Sequence, residues 1–193
     1  MVIGQHLGGR VGAVNQRLIF DYTLQSNLRV LGQPLAPEHV SGLMELGVDP
    51  SRPLLPAYPV ETYTAVIDFI AAQLWPGLPR DEAGFELGRA FMRSYRETLM
   101  GKAVLSVTRV IGPHRTLERM NRNFRSANNY TETRLQKVGP STYELWFNYA
   151  MRTGYFRGLI TEALEKTSAK ALSVTLVASS TGGEATFRIS WTD

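Results

Sequence analysis

Cysteine is absent from the 193 residues. That removes disulfides, thiolate-bound zinc, iron–sulfur clusters, cysteine nucleophiles and cysteine lipidation. Also missing is any run of about eighteen apolar residues, the length a membrane-spanning helix needs. The first residues, MVIGQHLGGRVGAVNQ, lack the basic segment, apolar run and small-residue cleavage site of an export signal, which gives a cytoplasmic reading. No phosphate loop or dinucleotide glycine fingerprint occurs, and LGGRVG near the start precedes no strand–helix unit. None of the three histidines, His6, His39 and His114, accompanies a serine in a G-x-S-x-G elbow. These absences predict a non-enzymatic protein with no catalytic residues, no metal ligands and no cofactor.

What is present has ordinary globular composition, 44% hydrophobic and 20% charged, in a chain long enough for one well-buried core. One domain over 1–193 is the expectation. The formal net charge is +4, and its placement is uneven. Arg109, Arg115, Arg119, Arg122, Arg125 and Arg134 face only Glu118 and Glu132, with no lysine among them, so this one segment carries an excess equal to that of the whole chain.

Proline punctuates the first half, from Pro34 to Pro79, into short elements. Pro37 and Gly47 bracket a helix over 37–46. Val66, Phe69, Ile70 and Leu74 recur at helical spacing before a stop at Pro76. Asp81 and Glu82 open a further helix, whose stripe of small or apolar residues is Gly84, Gly88, Met92, Tyr95 and Leu99. After Gly112, Pro113 starts a basic amphipathic helix with Leu117, Met120 and Phe124 on one face and Arg115, Arg119 and Arg122 on another. The period then changes to two. Tyr130–Val138 and Thr142–Ala150 read as a hairpin, TGYFRGLITEALEKTS as a helix with Tyr155, Leu159 and Leu164 on its stripe, and ALSVTLVAS with EATFRISW as a closing hairpin. The predicted class is α+β: N-terminal helices packed on a four-stranded antiparallel sheet, with α-α-β-β-α-β-β in the C-terminal half.

Four stretches taken in order, LGVDPSRPLLPAYPVETY, LWPGLPRDEAGFELGRAFMRSYRETLMGKAV, VIGPHRTLERMNRNFRSANNYTET and TGYFRGLITEALE, resemble a myxobacterial paralogous domain family whose function is undescribed. The C-terminal half, with Gly154, Tyr155 and Gly158 on its helix and an aromatic-basic last strand, resembles the vinyl-reductase-type ligand-binding domains. Those share a fold with haem–nitric-oxide sensors and with TRAPP vesicle-trafficking subunits. The resemblance implies an apolar pocket between helices and sheet, and as the object of binding a small apolar molecule or a partner protein. The departures matter too. Cysteine-held zinc and a TRAPP-type acyl-cysteine have no residue to carry them. Where the haem sensors have Tyr-x-Ser-x-Arg, this chain reads YTETR, Tyr130 to Arg134, and an acid at Glu132 would repel a propionate. His114, beside Pro113 at a helix start, is the one histidine nearby, a poor position for axial ligation.

Two sets of site residues follow. Arg115, Arg119, Arg122, Arg125 and Arg134 suit an anion or an acidic partner, because guanidinium forks grip oxyanions in pairs; the plainer reading is a solvated face with Glu118 paired to Arg115 or Arg122. Gly84, Gly88, Met92, Tyr95 and Tyr155 border a pocket, the two glycines marking either room for a bound group or a close helix approach. A nucleic-acid or nucleotide binder using 115–125 is the alternative, without a recognised motif. Finally, ELWFNYA puts Trp146 on the face opposite Leu145, Phe147 and Tyr149, which predicts a second cover and hence a homodimer.

Overall fold

The computed structural model describes residues 16–98, 102 and 108–192. In chain order these form β1 (Leu18–Phe20), α1 (Asp21–Leu28), a 3-10 turn (Arg29–Leu31), α2 (Pro37–Glu45), β2 (Ala57–Pro59), α3 (Val60–Leu74) and α4 (Arg80–Glu97). There follow α5 (Thr108–Ala127), β3 (Thr133–Gly139), β4 (Thr142–Phe147), α6 (Thr153–Leu164), β5 (Lys170–Ser179) and β6 (Ala185–Thr192). Among the described residues no helix is long and apolar enough to cross a membrane.

Local chemistry sets the boundaries. Pro37 occupies the first turn of α2; at its other end Val48 N donates to Leu43 O at 2.9 Å and Gly47 N to Met44 O at 3.0 Å, the paired closure that a left-handed glycine permits. Gly112 has φ 74°, which breaks α5 and lets Pro113 begin its longer part as the sequence predicts. The hairpin strands are shorter than expected because asparagines turn the chain at both ends. Asn128 Oδ1 accepts from Tyr130 N at 3.0 Å and Thr131 N at 2.7 Å, and Asn148 binds Glu132 N and Tyr130 O.

The sheet is antiparallel with order β3-β4-β6-β5, so the two hairpins join through β4 and β6, Leu145 facing Phe187 and Tyr143 facing Ile189. Its inner face buries Tyr143, Leu145, Phe147, Phe187 and Ile189 against Ile160 and Leu164 of α6 and Leu117 and Met120 of α5. Each such side chain contributes about 1.5–3 kcal/mol of burial. A second core, of Leu24, Leu43, Val66, Ile70 and Leu87, lies among the helices. Met92, Phe124 and Phe156 pack against both. On the outer face Arg134 lies over Trp146, 4.6 Å from the ring centroid.

Helices α4 and α6 are in backbone contact. A Cβ on Gly88 would strike the carbonyl oxygen of Tyr155, one on Gly158 that of Phe85, and one on Gly154 that of Asp81, whereas one on Gly84 would come within 3.3 Å of Tyr155 N. Close approach is therefore what the glycine stripe serves.

Candidate functional site

Where the two cores meet, packing leaves space. A cavity of about 110 Å³ lies between α1, α4, α5 and α6, walled by Phe91, Met92, Met120, Phe124, Leu159 and Ile160. Tyr22, Tyr95, Asn123 and Ser126 also border it; since Asn123 and Ser126 are exposed, it reaches solvent beside them. A smaller cavity of about 70 Å³ sits on the other side of Phe91, Phe124 and Leu159, among Tyr63, Tyr130 and Tyr155. Of the residues assigned to a pocket by sequence, Met92 and Tyr95 line the first cavity and Tyr155 the second. Gly88 lines neither, because the α6 backbone occupies its open side. Gly84 and Tyr155 border a third, polar cleft of about 190 Å³ beside Asp68, Arg80 and Arg152; Leu99 lies outside the described residues.

The tyrosines are not free phenols. Tyr63 Oη lies 3.0 Å from Tyr155 Oη, Asn27 Nδ2 donates to Tyr63 Oη at 3.0 Å, and Tyr155 Oη donates to Asn27 Oδ1 at 3.2 Å. This ring of hydrogen bonds is buried between α1, α3 and α6. Burial pushes the Tyr63 hydroxyl up to about 12 and raises those of Tyr155 and Tyr130, so all three are neutral donors at ordinary pH. In the polar cleft, burial works to raise Asp68, but hydrogen bonds from Arg152 and Arg80 overcome it and hold the carboxyl below its usual range. Arg152 Nη2 reaches Asp68 at 2.6 Å and Arg80 Nη2 at 2.5 Å, tying α3 to the starts of α4 and α6. Nothing in sequence spacing pointed to Asn27 or to this pair of arginines, since their partners are distant in the chain.

The arginine segment divides. Arg115, Arg119 and Arg122 are exposed on α5 and pair with no acid among the described residues. Glu118 takes His114 instead, Nε2 at 3.2 Å. Arg125 approaches Glu132 at 3.8 Å, and Arg134 is committed to Trp146 on the outer sheet face. The five residues do not converge on one ligand. Phe124 is wedged against Phe147 and Phe156, with centroids at 5.2 and 5.8 Å, and Tyr130 against Tyr149 at 5.5 Å, so neither offers a free face for stacking on a base.

Haem does not fit this interior. His39 on α2 packs edge-on against Phe69 and His114 stacks on Tyr143 at 5.1 Å; neither lines a cavity described above, and His6 lies outside the described residues. Tyr130 points inward, Glu132 is exposed toward Arg125, and Arg134 lies on the opposite face of the sheet, so Tyr130–Arg134 forms no propionate grip. Drug-sized ligands need roughly 300–1,000 Å³, more than the cavities of about 110 and 70 Å³ among the described residues.

One family of sequences, proteins of unknown function designated DUF2378, matches residues 17–192. No curated protein matches. Among solved structures, an oxygen-binding H-NOX domain related to soluble guanylate cyclases, in its oxygen complex, superposes with a TM-score of 0.64 at 19% identity, over 89% of this chain and 93% of its own. The Fe(II) unliganded H-NOX protein from K. algicida gives 0.64 at 11% identity, over 89% and 96%. Cs H-NOX carrying 4-cyano-L-phenylalanine at site 5 gives 0.66 at 16% identity, over 89% and 96%. Likeness this complete at identity this low is a shared fold, the haem–nitric-oxide fold named by the sequence resemblance.

Proposed function

The chain belongs to the DUF2378 family, and on that premise we propose that it is a non-enzymatic regulatory module that takes a small apolar molecule, not haem, into the cavity between α4, α5 and α6. The observation that carries this reading is the cavity itself, about 110 Å³ walled by Phe91, Met92, Met120, Phe124, Leu159 and Ile160. An apolar cavity of about 150 Å³ is enough to hold benzene or xenon. This cavity is somewhat smaller, of a size for a xenon atom, and for a single small ring if Phe124 shifts. Phe124 stands between this cavity and the smaller one, so a ligand that displaces it gains the second space. An oxygen-binding H-NOX domain has the same fold, which supports a small-ligand role for this chain.

Helix α5 joins this interior to the surface. Met120 and Phe124 wall the cavity, while Arg115, Arg119 and Arg122 lie on the exposed face without an acidic partner among the described residues. An acidic partner protein reading the occupied state would dock there, charge to charge.

Benzene, followed by calorimetric melting, tests the ligand reading. At about one hundred times its dissociation constant a ligand adds about 2.7 kcal/mol, which for this size of protein raises Tm by about 5–10 °C. Ala163 of α6 also lines the cavity, so Ala163→Phe places a ring in it and should abolish the rise. No rise in the wild type, or an equal rise in Ala163→Phe, overturns the proposal.

A further inference from the structure

Beyond the glycine contact of α4 and α6, a single buried carboxylate holds four cations. Glu162 is 2% exposed; its Oε2 accepts from Arg89 Nε at 3.2 Å and from Arg93 Nη1 at 3.0 Å, and its Oε1 from Arg96 Nη2 at 3.3 Å, with Lys166 Nζ at 3.7 Å. Arg89 is also held by Glu165 at 2.7 Å. Gly88 and Gly158 make the arrangement possible, because backbones in contact bring arginines one turn further along α4 within reach of a carboxylate on α6.

Neutralising Glu162 accounts for only part of this cluster. One cation balances the charge of a buried carboxylate, although its two oxygens offer about four lone-pair sites and can accept from all four. Four cations against Glu162 and Glu165 leave an excess of two positive charges in one place, and the guanidinium groups repel one another unless an anion joins them. Arg93 and Arg96 each give Glu162 one nitrogen, and their side chains are 46% and 32% exposed, with no other acid paired to them among the described residues. Arg89, Arg93 and Arg96 share one face of α4 by their spacing, so the free donors lie side by side.

We propose that the outward donors of Arg93 and Arg96, with Lys166, bind a small soluble phosphate ester. Glu162 is the buried post that fixes the forks. The charge matches, since a phosphate dianion supplies two negative charges, and its oxygens suit paired guanidinium groups. This site is separate from the apolar cavity and does not depend on it.

Titration calorimetry with inorganic phosphate at pH 7.5, ionic strength held constant with potassium chloride, tests the site. Saturable one-site binding is expected in the wild type. Arg93→Gln and Arg96→Gln each remove a charge-assisted hydrogen bond and should weaken it by about tenfold or more. Arg96→Lys keeps the charge and the fold but loses the fork, and should weaken binding by about threefold or more; it remains the readout if the glutamine variants fail to fold. Arg119→Gln on α5 should change nothing. Absence of saturable binding in the wild type, full affinity in Arg96→Lys, or a loss confined to Arg119→Gln would overturn the assignment. The benzene response of the cavity is scored separately, so failure of one proposal leaves the other standing.

Discussion

Asn27, Tyr63 and Tyr155 carry the most consequential polar chemistry of the helical core. Asn27 is 0% exposed and the two tyrosines 7% and 3%, yet their polar groups are satisfied by one another. Tyr63→Phe removes two of the three bonds in that ring and should cost about 1–3 kcal/mol near pH 8, measured as a shift in the urea midpoint. The cost should shrink in alkali. Burial raises the folded-state value of Tyr63 to about 12, above an unfolded value of about 10. Its stabilisation is therefore complete below pH 10 and lost as pH rises through 12, where phenylalanine has nothing to lose. An equal or larger cost at pH 11 would contradict the assignment. The Tyr155 ring was legible in the sequence, on the apolar stripe of its helix with Leu159 and Leu164. Its hydroxyl partner was not, because Asn27 lies 128 positions from Tyr155 in a stretch without apolar periodicity.

At the scale of elements, the crossing of α4 over α6 decides both the pocket and the ion cluster. Gly88→Ala would place a methyl group on the Tyr155 carbonyl, and the backbones must separate to admit it. A loss of about 3 kcal/mol or more is expected, with a smaller one for Gly84→Ala, whose Cβ meets only a 3.3 Å contact. Thermal melting of the two variants checks the order; equal losses would mean that the helices slide freely. Sequence showed two glycine pairs one turn apart, Gly84 with Gly88 and Gly154 with Gly158, and the helices that carry them. It did not show that the pairs meet. The strand alternation of Leu145 and Phe147 was equally plain, though Tyr149, read with them, lies past the end of β4, whereas α1 escaped notice because its buried positions include Thr23, Ser26 and Asn27, which mark no apolar stripe. Arg89, Arg93 and Arg96 were missed for a related reason. Their spacing is helical, but the carboxylate that gathers them is more than sixty residues away.

For the whole molecule, the chain shares the fold of the haem–nitric-oxide domains, while among the described residues His39 and His114 line no cavity and Tyr130–Arg134 forms no propionate grip. Class, strand order along the chain and the helix-on-sheet arrangement follow from period changes and turn residues that need no long-range information. The departures from the haem sensors, Glu132 in place of serine and His114 at a helix start, are legible in the sequence; the cavity is not, since it arises from the joint packing of Phe91, Phe124 and Phe156 between two cores. The account rests on that cavity accepting an apolar guest. Crystals pressurised with xenon test it most directly. Xenon is predicted between Phe91, Met120 and Leu159 in the wild type and absent from that position in Ala163→Phe. A wild-type crystal with no xenon there, at pressures that fill apolar cavities of similar volume in other proteins, would contradict the account.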